Sequence, residues 1–439
     1  MADKYTVGLY TLGCKVSQYE TEAIREAFVD AGFESRPFEE KNDVYVINTC
    51  TVTQESDRKS RQIIRRAIKA NPEAIIAVVG CYTQRSPDQV SAIDSVDIIL
   101  GTDKKMSVIP LALELLREGR GKKTVSVTDV SVADFEPMSI RTAPRTRAYL
   151  KIEDGCESKC TYCAISSARG RVRSKPREVV IKEVESLTKS GIKEIVLTGI
   201  ETGSYGRDFD TGYRLADLIA ELDERRSAER IRLGSLAPEL VGEDFVERIK
   251  GVKILAPHFH ISMQSGSDRI LASMKRRYTS ARAIENIERL RAAFPGASFT
   301  TDLMVGFPGE TEEDFLLTAD FVKRVRFLDA HVFAYSKRSG TPAAEYPNQV
   351  DEATKRERSE RLIKIKNSVR DIVLDELVAR GDELSVIAET LGDDGYYTGH
   401  SDTYVEVKFS PNGEGELHGE LVNVAPVSHK NGVVLCKLI

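Results

Sequence analysis

The 439-residue sequence predicts an α/β protein in three parts. These are an N-terminal open parallel sheet domain over residues 1–134, a central partial (β/α)6 barrel over 142–372, and a small C-terminal β-barrel over 375–439. Three observations carry this. Apolar strand-like runs alternate with amphipathic helical runs as far as Asp134, the pattern of a parallel sheet with helices on its faces. The alternation starts again at Ala148 and continues to Tyr335, where it implies βα units closing toward a barrel. The last stretch, Asp382–Ile439, changes to short Val, Ile, Tyr and Leu runs broken by Gly, Asp and Asn, as in a small all-β domain.

In the first part, strands are predicted at Lys4–Tyr10, Val44–Asn48, Ile75–Val79 and Asp97–Leu100. Helices are predicted at Gln18–Ala31, closed by Gly32, at the basic run Glu55–Ala70, and at Met106–Glu118. Val132–Arg147 reads as a linker, with Pro137, Pro144, Arg141, Arg145 and Arg147. The central strands are Ala148–Ile152, Glu194–Thr198, Ile231–Gly234, His258–Met263, Phe299–Val305 and Ala330–Tyr335. Helices fall between them near Glu178–Lys189, Tyr213–Glu224, Glu243–Lys250, Ser280–Phe294 and Glu312–Val325. Asp351–Arg380 is a long charged helix stopped by Gly381 and reads as a strut. Five strands follow, at Leu384–Glu389, Tyr396–His400, Tyr404–Phe409, Glu416–Asn423 and Val433–Lys437. Small barrels of this kind often bind RNA.

Composition sets the class. Apolar content of 41% and charge of 30% are ordinary for a soluble chain. The longest apolar runs, such as Ala74–Val79, are too short to span a bilayer, and the first residues carry no apolar signal core. A cytoplasmic protein without a membrane partner is expected. Seven cysteines, an odd number, argue for ligands over disulfides.

The chemistry concentrates at Cys156–Cys163, C-E-S-K-C-T-Y-C, where three thiols at C-x3-C-x2-C spacing follow a predicted strand. Asp154, Gly155, Ser158 and Lys159 make this a loop. Thiolates suit zinc or iron–sulfur iron. A closed zinc site wants a fourth Cys or His, and the nearest His, His258, is far along the chain. A four-iron cluster on three cysteines leaves one iron open to a substrate or cofactor. The cluster is the preferred reading, with zinc or chance thiols as the alternatives.

Cys14, Cys50 and Cys81 each follow a predicted strand, in T-L-G-C, I-N-T-C and V-V-G-C. In an open parallel sheet such loops share one edge, where ligands bind. A second three-cysteine cluster is expected there; three buried structural cysteines are the alternative. Cys436 lies in the last predicted strand and reads as core.

The net charge of −5 argues against a nucleic-acid partner by itself, but charge is local. Arg169, Arg171, Arg173, Lys175 and Arg177 alternate just after the cysteine loop. Arg58, Lys59, Arg61, Arg65, Arg66 and Lys69 crowd one predicted helix. Either run alone is an ordinary solvated face. Two such runs, each beside a cysteine, point to a phosphate-binding surface, with Arg169, Arg171, Arg173, Arg61 and Arg65 as candidates.

C-x3-C-x2-C with Tyr162 before the last Cys resembles the radical S-adenosylmethionine (SAM) enzymes. In these the open iron chelates SAM, and one electron from the cluster cleaves it to a 5′-deoxyadenosyl radical. With the N-terminal cysteines and the C-terminal barrel, which is similar to a TRAM domain, the whole chain resembles the radical SAM methylthiotransferases. The resemblance implies two 4Fe-4S clusters. Cys156, Cys160 and Cys163 would hold the SAM cluster, and Cys14, Cys50 and Cys81 the sulfur-carrying one. It also implies SAM as both methyl donor and radical source. Contacts to SAM are implied at Tyr162, Gly199, Glu201, Ser235, Gln264, Val305 and Gly306.

Tyr10–Thr21, Ile47–Thr53, Asp57–Gln62 and Tyr335–Ala344 look like the branch that modifies C2 of N6-threonylcarbamoyladenosine beside the tRNA anticodon. The implied partners are a tRNA anticodon stem-loop, an electron donor of flavodoxin or ferredoxin type, and a sulfur donor that the sequence does not name. Some residues depart from the pattern. Ser17 stands for Asn, Glu201 for His or Asn, Ala237 for an acid, and Ser166 and Ala334 for prolines. The alternatives are the same chemistry on isopentenyladenosine or a ribosomal-protein aspartate, or a non-catalytic RNA-binding protein with metal sites.

Overall fold

In the strand Ile75–Gly80 every residue is buried, because helices cover both faces of its sheet. This is seen in a computed structural model that describes residues 4–121, 123–143, 146–411, 413 and 415–439. Of the predicted linker, Pro144 and Arg145 lie outside the described residues. The chain forms two compact units. One comprises Met1–Ile140, Lys151–Lys175 and Ser336–Ala344; the other comprises Arg141–Leu150, Pro176–Tyr335 and Glu345–Ile439. These two units interleave along the chain. The cysteine loop falls with the N-terminal sheet, and the small barrel falls with the central strands.

The first unit holds a six-stranded parallel sheet in the spatial order Glu34–Arg36, Thr6–Thr11, Val44–Thr49, Ile75–Gly80, Ile98–Leu100, Thr124–Ser126. The outer strands are three residues each and carry no apolar run, so sequence periodicity does not announce them. Side chains alternate across the sheet. Val44, Val46, Ala77 and Val79 pack with Ile24 and Phe28 of helix Lys15–Asp30 and with Val108 and Ala112 of helix Val108–Glu118. Tyr45, Ile47, Ile76 and Val78 pack on the other face with Ile64 and Ala67 of helix Gln54–Ala70.

The second unit carries Arg147–Lys151, Glu194–Thr198 and Arg230–Leu233 in one three-stranded sheet, Lys151 itself belonging to the first unit. His258–Gln264, Ser298–Val305 and Asp329–Ala334 form another. Parallel bridges from Ile231 to Leu255 and from Leu236 to Ile261 join them. This is the partial barrel.

Helix Glu352–Arg380 is more than a strut. Its Leu374 and Leu377 are buried in the core of the closed five-stranded barrel, with Val386, Val407, Phe409, Val434 and Cys436. The fourth barrel strand runs Leu421–Lys430, later than the sequence reading places it. It passes through Pro426 at a shift of register, where a proline is tolerated.

At the N-terminal ends of the barrel strands, Glu194 is fully buried under three arginines. Arg232 binds it through Nε and Nη2 at 3.0 and 2.9 Å, and also donates to the carbonyls of Ser401 and Asp402. Arg230 donates to Glu194 and to Ser385, and Arg147 pairs with Glu194 and Glu389. Burial pushes the Glu194 carboxyl up, but Arg232, Arg147 and Arg230 outweigh it and hold the group at about 2. The small barrel is thus bonded to the strand ends through arginines that Glu194 neutralises. Replacing Glu194 by Ala leaves these cations without their shared anion, a loss of about 3–5 kcal/mol for a broken buried pair. The urea midpoints of Glu194→Ala and Glu194→Gln should both fall well below that of the wild type, and an unchanged midpoint would refute the anchoring role.

Candidate active site

Strand register gathers the N-terminal cysteines. Thr11 pairs with Asn48, and Thr49 pairs with Gly80. Cys50 and Cys81 therefore leave their strands side by side, and Cys14 leaves the adjacent strand at the same edge. Cys14 is exposed, whereas Cys50 and Cys81 are buried. The loop is tight at Gly13, where φ is +127° and a Cβ would sit 3.2 Å from the Cys50 Cβ. Burial pushes the Cys50 thiol up to about 11, with further contributions from Cys81 and Cys14, so the three thiols lie within electrostatic reach. Burial also raises Cys81, opposed by Arg169 and Lys105.

Cys156, Cys160 and Cys163 lie in the same compact unit. The Cys156 N–H donates to the Gly170 carbonyl at 3.0 Å and the Cys163 N–H to the Cys160 carbonyl at 3.1 Å. The Ile165 N–H donates to the Cys163 sulfur at 3.3 Å. Gly155, at φ +91°, lies so close to the Arg171 carbonyl that a Cβ would fall 1.8 Å from its oxygen. Tyr162 is half-buried. The segment Ser336–Ala344 touches both cysteine regions. Ala343 donates to the Thr161 carbonyl at 2.9 Å, and Arg338 donates to Thr51 at 2.7 Å and to Asp57 at 2.8 Å.

None of the seven cysteines is in a disulfide. Among the described residues, no group of three or more His, Cys, Asp or Glu is gathered closely enough to hold a single metal ion. The donor chemistry at both places nevertheless fits iron–sulfur clusters. Each set is all-thiol, and each has an N–H donor aimed at a cysteine sulfur, Ile165 N–H in one and Arg169 Nε–H in the other, as at ligand sulfurs of such clusters.

A buried ion network lies against these cysteines. Glu20 meets Lys105 at 2.7 Å, Lys151 at 2.9 Å and Arg169 at 2.6 Å. Asp154 meets Lys151 at 2.6 Å and Arg169 at 3.1 Å. Burial pushes the Glu20 carboxyl up, but Arg169, Lys105 and Lys151 outweigh it and hold the group well below the usual carboxylate range.

The network corrects the phosphate-surface expectation at two positions. Arg169 is 0% exposed and Arg173 is 3% exposed, both turned onto buried partners. Arg173 donates to the carbonyls of Arg169 and Val130 and faces Asp154. Lys175, from the same run, donates to the Tyr19 hydroxyl at 2.8 Å. Buried carboxylates need cations, and Glu20 lies 149 residues from Arg169 in sequence, so the run could not show its partner. Arg171 remains exposed beside Asp134, Arg65 is exposed, and half-buried Arg61 donates to Tyr82.

The sequence reading also missed Glu20, Lys105 and Lys151 as contributors to this site. One signal was available: Lys151 interrupts the otherwise apolar run Ala148–Ile152.

The remaining candidates sit at C-terminal strand ends of the second unit. Gly199 and Ser235 are half-buried, and Gln264 is buried at φ 70°. Val305 and Gly306 are buried in the barrel wall, with the Gly306 N–H donating to Glu310 at 2.9 Å. Arg358 in turn donates to Glu310 at 2.7 Å. Glu201 is buried, and its Oε1 accepts the Ala237 N–H at 3.1 Å. The Glu201 carboxylate is thus held against the backbone of position 237, at the neighbouring strand exit. Burial pushes Glu201 up to about 7, against the Ala237 and Gly203 N–H groups and Arg276, with Glu239 adding to the rise.

Residues 150–322 match the family described as Radical SAM superfamily, and residues 6–101 match "Uncharacterized protein family UPF0004". A Bacillus subtilis protein named threonylcarbamoyladenosine tRNA methylthiotransferase MtaB is 42% identical over 95% of this chain and 93% of its own length. The chain belongs to the radical SAM methylthiotransferase family. A Thermotoga maritima protein of the same name is 37% identical over 98% of this chain and 97% of its own. A Natranaerobius thermophilus protein named tRNA-2-methylthio-N(6)-dimethylallyladenosine synthase is 35% identical over 94% of this chain and 92% of its own. Among solved structures, the radical SAM methyltransferase TsrM from Kitasatospora setae superposes with a TM-score of 0.57 at 16% identity, covering 78% of this chain and 77% of its own. That likeness supports the fold.

This methylthiotransferase is therefore an enzyme of the radical SAM class, a class that uses SAM and a 4Fe-4S cluster. Among the described residues, no helix is long and apolar enough to cross a membrane.

The raised Glu201 group has a consequence for stability. Its folded value near 7 lies above the ordinary 4.5, so the native state holds a proton that the unfolded chain has lost. The stability is present below about 4.5 and is lost as pH rises through about 7, by about 3 kcal/mol at most. In ligand-free protein, urea midpoints measured across this window should decline with pH in the wild type. They should stay flatter in Glu201→Gln; equal slopes would contradict the assignment.

Proposed function

We propose that this enzyme transfers a methylthio group to C2 of N6-threonylcarbamoyladenosine beside the anticodon of tRNA, in the cytoplasm. The observation that carries the reading is the placement of Cys14, Cys50 and Cys81 at one sheet edge, in the same compact unit as Cys156, Cys160 and Cys163. Methylthiotransfer needs a sulfur source and a radical source, and two thiol sets supply two places to hold them. The MtaB relatives, 42% and 37% identical, favour threonylcarbamoyladenosine as the target.

In this reading Cys156, Cys160 and Cys163 hold the SAM cluster, and Cys14, Cys50 and Cys81 hold a second 4Fe-4S cluster. When bound, these groups and SAM supply the electron, the radical and the transferable sulfur. The protein's own part is positioning. Gly13 and Gly155 let backbone pass close behind the thiols. Ile165 N–H fixes one ligand sulfur. Arg338 ties Ser336–Ala344 to Thr51 beside Cys50. At the strand ends of the second unit, Gly199, Glu201, Ser235 and Gln264 present polar groups for SAM. Glu201 takes the place of the acid that Ala237 lacks. Tyr162 in the cysteine loop of the first unit, and Val305 and Gly306 at a strand end of the second, are the remaining candidate contacts to SAM. Exposed Arg65 and Arg171, with Arg61, meet tRNA phosphates. A flavodoxin- or ferredoxin-type donor supplies electrons, and a separate donor restores sulfur.

The dimethylallyladenosine reading rests on the 35% relative and is separated by product. Anaerobically reconstituted enzyme is given SAM, reductant and tRNA bearing either modified adenosine, and nucleosides are analysed by mass spectrometry. A methylthio product is expected only from threonylcarbamoyladenosine. Joint Arg65→Glu and Arg171→Glu substitution should raise the KM for tRNA several-fold. Product from dimethylallyladenosine alone would move the substrate assignment to the other branch.

A further inference from the structure

Arg169 occupies a place that the proposed reaction does not account for. It is an arginine with no solvent exposure, bonded to Cys81 and to Asp154 just before the Cys156 loop. Its Nε–H donates to the Cys81 sulfur at 3.2 Å. Nη1 donates to Glu20 Oε1 at 2.6 Å and to Asp154 Oδ2 at 3.1 Å, and Nη2 donates to Glu20 Oε2 at 3.2 Å. Asp154 also accepts the N–H of Gly155, the residue before Cys156. One guanidinium thus reaches a thiol of the N-terminal set at one end and the root of the Cys156 loop at the other.

The three N-terminal thiols are not equivalent. The Cys14 sulfur has the neutral Ser17 hydroxyl at 3.9 Å. Cys81 is the one that receives a charged donor, and that donor cannot swing away, because two carboxylates fix its other nitrogens. The charge balance points the same way. Lys105, Lys151, Arg169 and Arg173 converge on Glu20 and Asp154. Glu136 is a third carboxylate within electrostatic reach of Lys105. The cations outnumber the carboxylates they meet, which leaves room for the negative charge of a metal-bound Cys81 thiolate.

Resting on the proposed second cluster, we propose that Arg169 is a positioning residue for the N-terminal iron–sulfur site, and that its Nε–H···S bond to Cys81 raises the reduction potential of that cluster. Hydrogen bonds and nearby positive charge at a ligand sulfur stabilise the more electron-rich state. The clamp by Glu20 and Asp154 holds the donor in place against the Cys81 sulfur. The two clusters in one chain thereby sit in different electrostatic surroundings.

The test uses the full chain with Cys156, Cys160 and Cys163 replaced by Ala, so that only the N-terminal cluster is read. Iron content and the midpoint potential, followed by electron paramagnetic resonance, are measured with Arg169, Arg169→Lys and Arg169→Gln. Lys keeps the charge but lacks the Nε–H at that place. The midpoint should shift to lower potential in both variants, further in Gln, with iron content retained. Asp154→Glu, which keeps the charge but displaces the clamp and leaves Arg169 itself intact, should shift it less in the same direction, and serves if the Arg169 variants do not load iron. An unmoved midpoint in iron-loaded variants overturns the role of Arg169 and leaves the two-cluster reading standing. A parent variant that binds no iron overturns both.

Discussion

The carboxylate of Glu20 has no access to solvent and meets three cations, from Lys105, Lys151 and Arg169. A buried charge must be paired where it lies, because removing one partner strands the others at a cost of several kcal/mol. Much of the first unit follows from this constraint. Lys151 and Arg169 flank the Cys156–Cys163 loop, so pairing them with Glu20 holds that loop in the same compact unit as the N-terminal sheet. Glu20 sits on the helix that begins directly after Cys14. Arg169 is anchored to Cys81 as well. The network that neutralises Glu20 therefore also sets where the thiols stand.

Both units place their candidate site residues at the C-terminal ends of their strands. In the N-terminal sheet the cysteines leave adjacent parallel strands at the edge where ligands bind in open α/β sheets. In the partial barrel Gly199, Glu201, Ser235 and Gln264 occupy the corresponding ends. The opposite end of the barrel is given over to anchoring. There Glu194 gathers Arg147, Arg230 and Arg232, and these hold the small C-terminal barrel through its backbone carbonyls and Glu389. The arrangement leaves the strand exits clear of this anchoring.

The legible part of the fold was the part written in local periodicity. Strands buried on both faces, such as Ile75–Gly80, read as continuous apolar runs. Helices such as Glu312–Val325 kept their capping residues. The cysteine positions were legible because a cysteine directly after an apolar strand is a local pattern. What sequence could not show was contact over long separation. Arg169 and Arg173 read as a surface stripe because their carboxylate partners lie on other segments. Glu201 and Ala237 read as two separate departures from the family pattern, yet the two positions touch, since the Glu201 carboxylate accepts the Ala237 N–H at 3.1 Å. The strand Leu421–Lys430 was misplaced because Pro426 ends a strand in local statistics, whereas the sheet absorbs it at a register shift.

The most direct test of the account is a count of iron. The claim is that two separate thiol sets, built on one sheet edge and one loop of the same compact unit, each hold a cluster. Anaerobic reconstitution followed by iron and sulfide analysis compares the wild-type chain with two triple variants, one with Ala at Cys14, Cys50 and Cys81 and the other with Ala at Cys156, Cys160 and Cys163. The account predicts about eight irons per wild-type chain and about four in each variant. About four irons in the wild type, with none lost on replacing Cys14, Cys50 and Cys81, would contradict it.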